Sequence, residues 1–123
     1  MNRTKSLILT GLVLASCLIA ANGRASSMSR IEYLTMNRAT SLPGVVLPAG
    51  NYKFEVIGGH VDIVRVTDRL TGRVLYLGFT DVVEQENRRA EPLTFGEAPK
   101  GAPLPIKAWF PDGTRRGNVF RYR

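Results

Sequence analysis

Glycine and proline punctuate this chain too densely for long helices. Of its 12 glycines and 7 prolines, all but Gly11 and Gly23 lie between Pro43 and Gly117. Proline removes an amide donor and clashes inside a helix, and glycine weakens one, so the segments between them stay short. Pro43-Gly44 and Pro48-Ala49-Gly50 bracket Val45-Val46-Leu47 and exclude a helix there. Residues 84–91 lack both breakers, but they are charged and offer no apolar stripe for a helix to bury. Beyond residue 25 no amphipathic helix of about 12 residues remains.

The segments that remain read as strands. Residues 31–36 are rich in β-formers. Residues 51–57 alternate, with Tyr52, Phe54 and Val56 on one side and Lys53 and Glu55 on the other. Gly58-Gly59 predicts a two-residue turn into a return strand at 61–67. That turn sets Phe54 opposite Ile63 and Val56 opposite Val61. It leaves Val64 and Val66 on the far face, so either both faces of this strand are covered or the register shifts by one. A turn at 68–72, a strand at 73–80 with Gly78 as a bulge or close-packing point, and an extension through Val82 and Val83 follow. A brief strand at 92–95, a proline-rich loop at 97–105, and strands at 106–110 and 118–123 about a Pro111-Asp112-Gly113 turn complete the chain. About seven short strands with turns between them predict an all-β domain, a small antiparallel sandwich or barrel.

The first 25 residues differ in kind. Arg3 and Lys5 precede residues 7–21, which carry no charge. This is the pattern of a secretory signal peptide, and the run is short for a membrane span of about 20 residues. Gly23-Arg24-Ala25 predicts cleavage before Ser26. Leu14-Ala15-Ser16-Cys17 resembles the bacterial lipobox, so the alternative mature end is a lipidated Cys17 after a 1–16 leader. Residues 26–123 then form a single domain, extracytoplasmic or lipid-anchored through Cys17. The formal charge of +7 falls to +4 once Arg3, Lys5 and Arg24 leave with the leader. That is weak attraction for polyanions and not the footprint of a dedicated nucleic-acid binder.

Three segments carry a family resemblance. Residues 42–54 match the pattern PG-x-x-L-x-AG-x-Y-x-F through Pro43, Gly44, Leu47, Ala49, Gly50, Tyr52 and Phe54. Leu93-Thr94-Phe95 and Ala108-Trp109-Phe110 resemble middle and late motifs of the same group. Gly117, Phe120 and Tyr122 are similar to its closing G-x-E-F-x-Y signature, with Val119 where an acid is usual. The resemblance is to a group of small exported bacterial proteins without an assigned activity. It implies an exported β domain and supplies no chemistry.

The residues themselves argue against catalysis. Nucleophilic catalysis needs a base beside the nucleophile, and His60, the one histidine, sits beside a turn where it is expected to be solvated. One cysteine excludes an internal disulfide, and no motif calls for a cofactor. Glu84 with Glu86, and Glu91 with Glu97, are read as solvated acids rather than a catalytic pair. Asp62, Asp68 and Asp81 match no calcium-loop spacing. The remaining feature is the basic and aromatic C-terminal region. Lys107, Trp109, Arg115, Arg116, Arg121 and Arg123 form a candidate binding face for an anionic polymer. The competing reading is a closing hairpin whose aromatics are core and whose arginines are solvated, and the alternation of Phe120 and Tyr122 with Arg121 and Arg123 favours it. The expected function is that of an exported, non-catalytic envelope protein that binds an envelope partner or polymer or serves as a structural component. The alternatives are a small envelope enzyme using carboxylates and a subunit that adds an edge strand to a partner.

Overall fold

The strands form where the breakers allow them. The computed structural model describes residues 30–88 and 91–123. The leader, both cleavage sites and Cys17 lie outside the described residues. The strands are β1 (Arg30–Met36), β2 (Thr40–Leu42), β3 (Val45–Leu47), β4 (Gly50–Val56), β5 (Ile63–Asp68), β6 (Val74–Glu84), β7 (Leu93–Phe95), β8 (Leu104–Trp109) and β9 (Arg116–Phe120). A single 3-10 turn at Pro111–Gly113 joins the last two. The domain is all-β. Its nine strands form one mixed sheet in the order β1-β4-β5-β6-β9-β8-β2-β3, with β7 also paired to β8. The sheet is not closed into a barrel.

β6 explains how one sheet encloses a core. Val74 to Phe79 pair with β5, and Thr80 to Glu84 pair with β9. The strand is therefore shared by two halves, which face each other across the core. Phe54 of β4 meets Trp109 of β8 edge to face, with ring centroids 5.5 Å apart. Leu42, Leu47, Val64, Val66, Ile106 and Phe120 fill the space around them. A buried polar knot marks the joint in β6. Asn118 Nδ2 donates to the Val61 carbonyl at 2.8 Å and to Thr80 Oγ1 at 2.9 Å, and Thr80 Oγ1 donates to the Asp62 carbonyl at 2.9 Å. Each bond satisfies a group that would otherwise be costly to bury.

Several expectations change. Among the described residues there are nine strands rather than about seven, because β2 and β3 are three-residue strands flanking the Pro43-Gly44 turn. The sheet is not wholly antiparallel, since β2 runs parallel to β8. The β4–β5 connection is not a two-residue turn. The Ile57 amide donates to the Ile63 carbonyl and the His60 amide to the Ile57 carbonyl, so 57–62 form the loop. Phe54 therefore faces Val66 and Val56 faces Val64. The odd shift in register turns Val64 and Val66 into the core, where both are fully buried. The irregularity in β6 falls at Leu75, which β5 skips, while Gly78 is a close-packing point beneath Tyr76.

The outer face of this half carries an ion pair. Arg65 Nε lies 2.8 Å from Glu55 Oε2, and Lys53 Nζ lies 3.6 Å from the same oxygen. The hydrogen bond from Arg65 holds the Glu55 carboxyl below its usual value, although burial opposes the shift. A carboxylate with a lowered folded pKa stabilises the fold above its unfolded pKa, and that contribution is lost as pH falls through the folded value. We expect the melting temperature to drop on acidification below about pH 4.5 more steeply in the wild type than in Glu55→Gln. Thermal melts at pH 6, 4 and 3 check this, and parallel curves would refute it.

Candidate functional site

The structure takes Trp109 out of the proposed basic face. Trp109 is fully buried, and its indole Nε1 donates to Glu32 Oε1 at 2.8 Å, so it belongs to the core. The cause is a bulge. Leu93 pairs with Trp109, Thr94 with Ala108, and Phe95 with Ile106, so Lys107 is skipped. The extra residue brings Ile106 and Trp109 to the same interior and leaves Lys107 exposed. Simple alternation would have placed Lys107 and Trp109 together. Arg121 pairs with Asp81 at 2.7 Å, Arg116 stands opposite Glu84, and Arg115 Nη1 reaches the Glu86 carbonyl at 3.3 Å. Arg123 is exposed. Arg116 and Arg121 stand about 17 Å apart along the strand direction. Two of the five basic residues of that face thus stand beside acids.

The residues of the sequence motifs also have structural work. Gly44 takes φ +80° in the β2–β3 turn, Leu47 and Phe54 are fully buried, and the Tyr52 hydroxyl donates to the Pro48 carbonyl across the β3–β4 corner. Phe120 packs edge-on against Tyr76. The Tyr122 hydroxyl donates at 2.9 Å to the Ser41 carbonyl or at 2.6 Å to that of Ile106. Burial pushes its pKa up to about 12, which keeps it a donor. His60 is exposed in the 57–62 loop, Asp68 Oδ1 accepts the Leu70 amide, and Glu84, Glu86, Glu91 and Glu97 are exposed. Among the described residues no three His, Cys, Asp or Glu side chains gather as a metal site.

The site that sequence reasoning missed lies where the sheet fails to close. A groove of about 440 Å³ runs between β1 and β7. Leu34, Met36, Leu93, Phe95 and Leu104 form its apolar walls, and Arg38, Thr40 and Glu91 add polar groups. The size falls within the range of small-ligand sites. Thr40 is almost wholly buried, and its hydroxyl has no hydrogen-bond partner among the described residues. Such a group costs about 1–3 kcal/mol in an unliganded fold. Arg38 spends one long bond, 3.3 Å, on the Ala102 carbonyl.

No family model, curated protein or solved structure matches this chain.

The geometry of the groove therefore rests on its own residues. Glu32 Oε1 accepts the Trp109 indole and the Asp112 amide, and Arg30 Nη1 reaches Thr114 Oγ1 at 3.3 Å. These bonds hold the start of β1 beside the end of β8. The Leu104 amide donates to the Ala39 carbonyl at 3.2 Å, which holds the segment after β1 beside the start of β8. β1 thus runs opposite to β8, as β7 does. The groove lies between two strands that run the same way. Among the described residues β1 pairs only with β4 and β7 only with β8, so each keeps one unpaired edge. No sequence signal located this gap, because it depends on which strands become neighbours and not on any one of them.

Proposed function

We propose that this chain is an exported, non-catalytic binding protein of the bacterial cell envelope, and that it binds through the β1–β7 groove. The observation that carries the reading is the coincidence, in one groove, of five apolar side chains, the Arg38 guanidinium and the buried, unpartnered Thr40 hydroxyl. Apolar walls supply affinity and a few polar groups fix orientation, which is the general composition of binding sites. Among the described residues Glu91 is the single carboxylate of the lining. Export rests on Arg3 and Lys5 ahead of the uncharged residues 7–21.

Two measurements test this. Intact mass of the protein from the envelope fraction should begin at Ser26 or at a lipidated Cys17, and a cytoplasmic chain retaining Met1 would overturn export. Phe95→Lys puts a charge into the groove at a side chain that is 40% exposed, so the fold should hold. Crosslinked envelope material should be lost from Phe95→Lys and kept by Arg116→Ala. The opposite pattern would move the site to the basic residues.

A further inference from the structure

Resting on that reading, we infer that the groove takes an extended peptide segment of a partner protein, which pairs with β1 and β7 at once and completes the sheet. Consecutive residues of β1, Leu34, Thr35 and Met36, line the groove, so it meets the strand's edge and not one face alone. At β7 the lining takes Leu93 and Phe95, with Pro92 just ahead of the strand, and the free edge follows from its pairing with β8 alone among the described residues. An edge offers a row of amide donors and carbonyl acceptors that a peptide backbone matches. Because β1 and β7 run the same way, one inserted strand can lie antiparallel to both, the more stable pairing. The ring β1-β4-β5-β6-β9-β8-β7 would then close through the guest.

Direction and chemistry follow from the ends. Arg38 lies just past the end of β1, beside the Ala102 carbonyl that precedes β8, and Glu91 lies just ahead of β7. A strand running against β1 and β7 starts at Arg38 and finishes at Glu91. Charge complementarity then asks for an acidic residue at the guest's N-terminal end and a basic one at its C-terminal end. Alternate positions should be apolar, to meet Leu34, Met36 and Leu93. The buried Thr40 hydroxyl sits at the Arg38 end, where the guest's first polar groups arrive.

The test uses a six-residue peptide blocked at both ends, Glu-Val-Thr-Val-Thr-Lys, titrated into the purified chain by calorimetry. Saturable binding is expected, with slowed hydrogen exchange at the amides of 34–36 and 93–95. The peptide with its charges exchanged, Lys first and Glu last, should bind at least about tenfold more weakly. A version with proline at the second and fourth positions should lose binding, because it lacks those backbone donors. The double variant Arg38→Glu with Glu91→Lys should reverse the preference between the two charge orders. Equal binding of all three peptides, or of none, overturns the assignment. If laurate fills the groove and protects no strand amides while the peptides fail, the binding-site reading stands and the strand assignment falls. If nothing binds and Phe95→Lys retains its envelope material, both fall.

Discussion

Trp109→Ala should lower the stability of the domain by about 3–5 kcal/mol, the range for emptying a large aromatic site. Domains of this size have about 5–15 kcal/mol in all, so the variant should be near the edge of folding. Trp109 is fully buried, touches Phe54 of the opposite half edge-on, and ties β8 to β1 through Glu32. Its loss removes packing, an aromatic contact and a cross-sheet bond together. Trp109→Phe keeps most of the volume and loses the Nε1 donor, so it should cost about half as much. Because this is the only tryptophan, unfolding in urea must be followed by circular dichroism instead of indole fluorescence. A midpoint unchanged in Trp109→Ala would remove Trp109 from the core.

The second large effect is expected at a glycine. A β-carbon at Gly117 would fall within 2.7 Å of three atoms of the Phe110 ring. Gly117 is paired with Val83, and Phe110 is buried with its amide bonded to the Pro92 carbonyl, so neither backbone can step aside readily. Overpacking of this kind costs about 1–3 kcal/mol, and Gly117→Ala should fall at the upper end. Phe110→Leu should cost less when combined with Gly117→Ala than the two single effects predict, because the smaller side chain makes room. Denaturant midpoints of the two single variants and the double variant decide this, and strictly additive losses would exclude the clash.

Local features of the fold were legible because they depend on neighbours in sequence. The buried side of β4, the Pro43-Gly44 turn and the strand at Ile106 follow from alternation and breaker residues. The Phe54 register did not, because Gly58-Gly59 gives the same local signal in a two-residue turn and in the longer 57–62 loop. The longer loop has a partner outside its own segment, since Asn118 donates to the Val61 carbonyl from 57 residues away in sequence. Lys107 and Trp109 were misassigned to one face for a related reason. A bulge adds a residue to one strand, and its only sign is the pairing with β7. The groove is the extreme case. Its walls come from β1, β7 and the start of β8, and nothing in any of these segments alone announces a gap.

The sharing of β6 between the two halves has a consequence for how the domain fails. Its eleven residues are continuous, and the Thr80–Asn118 knot locks the point where the pairing partner changes. Neither half can open without stripping one length of β6 while the other length holds the same chain in place. Fraying of one half therefore exposes the core that both line, and the free energies of opening the two halves converge on that of the whole. The halves form one cooperative unit, and loss of order at either end of β6 is loss of the fold.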